Sequence, residues 1–352
     1  MHQVDGYLRE LMARGGSDLH LIGGDPPRVR INGELENLSE EALTSQAVND
    51  LTAEILPNAA RQTFEREDGA DFAYAIEDLA RFRVNLSRHL NGLAVVFRAI
   101  PARALSLDEL KMPPVIASLG MQRHGLILVT GKTGSGKSTT LAALVNDINE
   151  RRRGHIITIE DPIEFIHERK RCLISQRQLG LHTPSFAAAL RSALREDPDA
   201  ILVGEMRDLE TISLAVTAAE TGILVLGTLH TNGAAATVDR VINAFPAMKQ
   251  AQIRTMLSTS LRGVISQQLV RRADGGGRVA AVEILVNTPA VANLVREGKT
   301  DQLPGTMQSG ALVGMQTMDT ALRRLVDSGQ ATPEEARHHA INKSDFGGSA
   351  PP

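Results

Sequence analysis

The run GKTGSGKS at residues 131–138 constrains this chain more than any other feature. It satisfies the pattern G-x-x-x-x-G-K-[ST] and has the flanks a phosphate-binding loop requires. The apolar stretch LILVT before it reads as a buried strand, and STTLAALVNDINE after it reads as a helix. Glycines let the backbone wrap a phosphate and point successive N–H groups inward, and the helix N-terminus adds partial positive charge. Gly131, Lys132, Thr133, Gly134, Ser135, Gly136 and Thr139 are the expected cradle. Lys137 can reach the β- and γ-phosphates, and the Ser138 hydroxyl can ligate Mg²⁺. A nucleoside triphosphate is the expected ligand.

At 352 residues the chain is long enough for two domains, each with its own core. Residues 1–99 read as a small α+β domain. A helix from Val4 to Arg14 precedes a hairpin in SDLHLIGGDPPRVRINGEL, a helical stretch covers Ser45 to Glu65, and DFAYAI, ARFRVNLSRH and LAVVFRAI alternate as strands with one wet face. Proline and polar residues mark 100–114 as a linker. From 115 to 344, strand candidates LILVT, HIITIE, AILVGE and LVLGTLH alternate with helices, which predicts a parallel sheet covered on both faces. The glycines at 275–277 predict a hairpin that adds an antiparallel strand, and 345–352 reads as a disordered tail.

Composition narrows the function classes. A net charge of −3 leaves no electrostatic footprint for nucleic acid, and 3% aromatic content without Trp leaves no stacking platform. Two basic runs, Arg151 to Arg153 and Arg169 to Arg171, lie beside acidic residues and read as solvated surface. The lone Cys172 precludes an intrachain disulfide and fits a reducing compartment. No apolar stretch approaches the roughly 20 residues a membrane span needs, and MHQVDGYLREL lacks the order of a signal peptide. The expected setting is cytoplasmic, without direct membrane insertion.

Three further motifs carry chemistry. ILVGEMRD ends an apolar strand in a carboxylate, where such folds place the residue supporting the Mg²⁺ shell. The usual aspartate position is Gly204, so Glu205 takes the role one residue late. In TIEDPIEF, Glu160, Asp161 and Glu164 gather at a strand end beside Pro162. One of these carboxylates could deprotonate an attacking water, and Glu160 could also serve the metal. GTLHTN places His230 just past a strand, on the sheet edge that faces ligand in nucleotide-binding folds. Arg81 and Arg83 share one strand face and Arg98 lies on the next strand, where a neighbouring subunit could read them.

With these motifs in order, the chain resembles the secretion ATPase superfamily and, within it, the retraction ATPases of type IV pili. SDLHL, RFRVN, VTGKTGSGKSTTLAALV, ITIEDPIEF, ALREDPDAILVGEMRDLETI, AAETG, GTLHTN and GGGRVAAVEIL carry the resemblance, over about residues 4–325. It implies an α/β fold with an N-terminal PAS-like domain, a C-terminal RecA-like ATPase domain and a homohexameric ring. Arginines of the RFRVN region would reach towards ATP. It further implies that Glu164 is the general base, Glu205 the atypical Walker B acid and His230 the His-box residue. Its expected partners are an inner-membrane, PilC-like pilus platform protein and an accessory, PilU-like ATPase, with the motor peripheral at the inner-membrane pilus base.

Three positions depart from that pattern. Lys132 stands where these ATPases usually have proline, and Ile223 follows AAETG where histidine is common. AVANLVRE at 290–297 has Ala292 in place of an arginine tied to retraction. Three other readings remain: an assembly or secretion ATPase, a nucleic-acid translocase, and a nucleotide-binding regulatory subunit.

Overall fold

A computed structural model describes residues 2–31, 33–77, 79–100 and 103–346. The chain divides into two compact units at Arg103/Ala104.

The first unit is built on a six-stranded antiparallel sheet. Its strands are β1 (Asp18–Ile22), β2 (Arg28–Ile31), β3 (Glu34–Asn37), β4 (Gly69–Ile76), β5 (Ala80–His89) and β6 (Gly92–Ile100), in the order β3-β2-β1-β6-β5-β4. Alternation decides what each face of β5 meets: Phe82, Val84 and Leu86 are buried, while Arg83 and Asn85 between them are exposed. The buried side packs against the helix Val4–Ala13 through Leu8 and Leu11, together with Leu19, Val29 and Phe97. The stretch 45–65, expected as one helical region, is two helices, Ser45–Ala53 and Asn58–Glu67. Pro57 separates them, because it lacks an N–H and disfavours helical backbone in the residue before it.

The second unit holds a seven-stranded sheet of β7 (Gly125–Thr130), β8 (His155–Glu160), β9 (Leu173–Gln178), β10 (Ala200–Val203), β11 (Leu224–Leu229), β12 (Leu261–Arg271) and β13 (Arg278–Val286), ordered β13-β12-β7-β11-β10-β8-β9. Every pairing is parallel except β12 with β13, the hairpin expected from the three glycines. The central strands are apolar throughout because both faces are covered. In β7, Leu126 and Leu128 enter one core cluster, while Ile127 and Val129 enter the cluster on the opposite side with Leu141 and Leu144 of the helix Lys137–Arg151. Leu107 and Met112, in the segment expected as linker, are buried in that second cluster. At the other end, Lys343–Phe346 is a 3-10 turn with Phe346 buried, so order runs two residues into the expected tail. Residues 347–352 lie outside the described residues. Among the described residues, no helix is long and apolar enough to cross a membrane.

Candidate active site

Parallel pairing puts the carboxyl ends of β7, β8, β10 and β11 on one edge of the sheet, and that edge collects the chemistry. Thr130 pairs with Leu229, and Val203 pairs with both Gly227 and Ile159. The phosphate loop, Glu160, Glu205 and His230 therefore emerge side by side. Expected strands AILVGE and LVLGTLH stop at Val203 and Leu229, so Glu205 and His230 sit on the turns beyond them.

The loop's glycines answer to sterics. Gly131 has φ +141° and Gly136 φ +88°. A Cβ on Gly131 would collide with the Gln267 carbonyl oxygen, and one on Gly136 would lie 2.7 Å from Gln267 Nε2. The loop is thus pressed against β12, and the Gln267 side chain in turn accepts a 2.8 Å hydrogen bond from Thr140 Oγ1. Gly136 stands at the helix N-cap and offers no side-chain acceptor to the first-turn N–H groups. Ser135 Oγ is buried without a hydrogen-bond partner among the described residues. Open helix N–H groups, an orphaned hydroxyl and a buried ammonium fit a phosphate chain. Lys132, Thr133, Gly134 and Ser138 are exposed at the mouth, and Thr139 is half-buried.

Lys137 is only 9% exposed, and its ammonium donates to Gly131 O at 2.8 Å and Lys132 O at 3.0 Å. Burial pulls its pKa below the ordinary lysine value, against the opposing pull of the Glu205 and Glu164 carboxylates. Both acids therefore lie within electrostatic reach of Lys137. Glu164 is exposed, on a strap that follows β8 after a cis Asp161–Pro162 bond. Glu160 is half-buried, and desolvation pushes its pKa up even though it accepts hydrogen bonds from Thr158 Oγ1 at 2.6 Å and Gln176 Nε2 at 3.4 Å.

Glu205 occupies the turn after β10 for a steric reason. A Cβ on Gly204 would lie 3.0 Å from Ile159 O and 3.2 Å from the Glu160 Cα, so a side chain at the usual aspartate position would crowd the backbone of β8. The carboxylate moves one residue on. There Arg207 grips both of its oxygens, Nε to Oε1 at 2.5 Å and Nη2 to Oε2 at 2.6 Å, and His230 Nε2 lies 3.1 Å from Oε1. Burial works to raise the Glu205 pKa, but Arg207 and His230 outweigh it and hold the carboxyl below its usual range.

The three arginines lie on the first unit. Arg83 pairs directly across from Arg98, Arg81 sits two residues along the same face, and Arg98 Nε donates to buried Asp18 at 2.7 Å. Arg83 Nε is 3.4 Å from Asp71. Sequence reasoning assigned no role to Arg207, Gln176 or Gln267. Arg207 stood in plain view within GEMRD, but its grip on Glu205 depends on a turn geometry that spacing does not give. Of the two basic runs expected as solvated surface, Lys170 is exposed and pairs with Glu150 at 2.5 Å, whereas Arg152 is half-buried and donates to the Met121 and Gln122 carbonyls.

The model of the type II/IV secretion system protein family matches residues 1–345. The chain is 50% identical over 343 residues to a Pseudomonas aeruginosa protein named "Type IV pilus retractation ATPase PilT", covering 96% of this chain and 99% of that one. It is 51% identical over 320 residues to a "Twitching motility protein" of Neisseria gonorrhoeae, covering 91% and 86%. A crystal structure of the pilus retraction motor PilT with bound ADP superposes with a TM-score of 0.90 at 41% identity, covering 98% of each chain. By sequence along nearly its whole length, and by fold in both of its parts, the chain belongs to the type II/IV secretion system protein family.

Proposed function

We infer that this chain is a motor ATPase that hydrolyses ATP to retract type IV pili and so drives twitching motility. One observation carries the ATPase reading: Lys137, buried in a glycine-lined phosphate cradle, feels both the Glu164 and Glu205 carboxylates. Lys137 and the loop N–H groups bind the β- and γ-phosphates. Ser138 and Glu205 are the residues that would hold Mg²⁺, which neutralises phosphate charge when bound. Glu164 orients a water and takes its proton as the water oxygen bonds to the γ-phosphorus and the bond to ADP breaks. His230, against Glu205, passes the loss of the γ-phosphate to the turn after β11.

Pilus retraction as the purpose of this hydrolysis is supported by near-full-length likeness to proteins named for it. In this reading the chain forms a homohexamer, cytoplasmic and peripheral at the pilus base. It acts on an inner-membrane, PilC-like platform protein, alone or beside a PilU-like ATPase, and Arg81, Arg83 and Arg98 serve a neighbouring subunit's nucleotide. Ala292, on the helix Pro289–Glu297, is the position most relevant to retraction as distinct from hydrolysis.

The deciding experiment measures steady-state hydrolysis by the purified protein across a concentration series, with and without single-stranded DNA. In parallel, the gene is placed in a piliated bacterium lacking its own retraction ATPase. Turnover that rises faster than linearly with protein and ignores DNA, together with restored twitching, is the expected result. DNA-dependent turnover would transfer the chain to the translocases, and turnover without twitching would leave an ATPase that does not retract.

A further inference from the structure

The strap from Asp161 to Glu168 carries Glu164 yet belongs to no helix or strand, so its backbone groups need partners from elsewhere. Strand β9 supplies them through side chains. Gln176 Nε2 donates to Phe165 O at 2.8 Å, and Gln176 Oε1 accepts from His167 N at 2.9 Å. The two bonds straddle Ile166 and stand in for the ladder a neighbouring strand would provide. The same Nε2 lies 3.4 Å from Glu160 Oε1. The Glu164 backbone N–H lies near enough to pull the Glu160 pKa down, against its desolvation.

Two further ties frame this one. Gln178 Oε1 accepts from Ile163 N at 3.3 Å, and Asn149, buried on the helix that follows the phosphate loop, donates to Glu168 O at 2.7 Å. Both lie at the strap's ends. Gln176 lies at its middle and meets Glu160, the strap backbone on both sides of Ile166, and through them Glu164.

Donation to one carbonyl and acceptance from one N–H can be met together by a side-chain amide. A carboxylate loses the donor, and an apolar side chain of the same length loses both bonds. Asparagine, one methylene shorter, does not reach as far.

We propose that Gln176 is a positioning residue for ATP hydrolysis, setting the strap so that the Glu164 carboxylate faces the phosphate loop and locking that setting to Glu160. The proposal rests on the assignment of Glu164 as general base. Gln176 acts through the strap.

Its test compares four full-length proteins: wild type, Gln176→Glu, Gln176→Met and Glu164→Gln. Each is assayed for kcat and KM with ATP from acid to alkaline pH, and for affinity towards a fluorescent ADP analogue. Both Gln176 variants should lose roughly a hundredfold in kcat, the cost of misplacing a reacting group by about 1 Å. KM and ADP affinity should stay at their wild-type values, because the phosphate loop is untouched. Gln176→Glu should recover part of its kcat at acid pH, where a protonated carboxyl can again donate to Phe165 O, and Gln176→Met should not.

Wild-type kcat in both Gln176 variants beside an inactive Glu164→Gln would overturn the positioning role and leave the base assignment standing. Full activity in Glu164→Gln would overturn the base assignment and the proposal with it. Loss of ADP affinity along with kcat, without acid recovery in Gln176→Glu, would make Gln176 a packing residue and overturn the proposal.

Discussion

Lys137 and Glu205 are each held by neighbours that fix their charge. Burial disfavours the ammonium, two carboxylates offset part of that, and two loop carbonyls accept its hydrogen bonds. Arg207 and His230 keep Glu205 ionised despite its burial. Each residue thus meets its ligand with the charge already in place, which is what electrostatic stabilisation requires. Lys137→Ala and Glu205→Ala should each cut kcat by at least about 10²–10³-fold, the usual loss when one preorganised group is removed. Turnover near wild type in a purified, folded variant would contradict the assigned role. The residues proposed to bind and react were legible because their motifs are local: GKTGSGKS, TIEDPIEF, GEMRD and GTLHTN each lie within one strand end and its turn. Those that hold them were not. Gln267 reaches the phosphate loop from more than a hundred residues away, and Gln176 reaches the strap across a strand pair, so no local spacing predicts either contact.

Strands were easy to find where both faces are buried and hard where one edge is open. β7, β8, β10 and β11 are near-continuous apolar runs, whereas β9 reads LISQRQ, whose polar side chains bond the strap and core residues. Two predictions belong to these elements. Gly131→Ala forces a Cβ into the Gln267 carbonyl at a backbone angle that L side chains rarely adopt. The unfolding free energy should fall by about 1–3 kcal/mol and ADP affinity should drop with it, as denaturant titration and a binding isotherm would reveal. An unchanged unfolding midpoint would show that the loop can move off β12. The second prediction concerns His167 on the strap. Burial, with Lys170 adding to it, lowers its pKa from 6.5 to about 4. The unfolded chain takes up the proton near pH 6.5 while the folded strap resists until about pH 4. Its contribution is therefore full above pH 6.5 and is lost as pH falls through that window. His167→Phe should flatten the decline of the urea midpoint between pH 6.5 and 4; an equally steep decline would place the acid sensitivity elsewhere.

At the scale of the molecule, the two-part architecture was visible in the switch from period-two alternation before residue 100 to alternating strand and helix after 115. In the proposed ring, the far side of each site comes from another chain. The N-terminal unit sets Arg83 opposite Arg98 with Arg81 on the same face, and in a ring these cations have a purpose if a neighbour's phosphates meet them. That division of labour can be tested by mixing two inactive proteins. Lys137→Ala keeps the arginines and loses its own phosphate site. The triple variant Arg81→Ala, Arg83→Ala, Arg98→Ala does the reverse. If the arginines act across the subunit boundary, co-assembly at equal amounts pairs an intact phosphate loop with intact arginines at roughly a quarter of interfaces, as random placement around a cyclic ring requires. Hydrolysis should then reappear in the mixture and grow with the time allowed for subunit exchange. If the arginines serve the nucleotide of their own chain, no arrangement of the two variants contains a complete site, and the mixture stays as inactive as its parts.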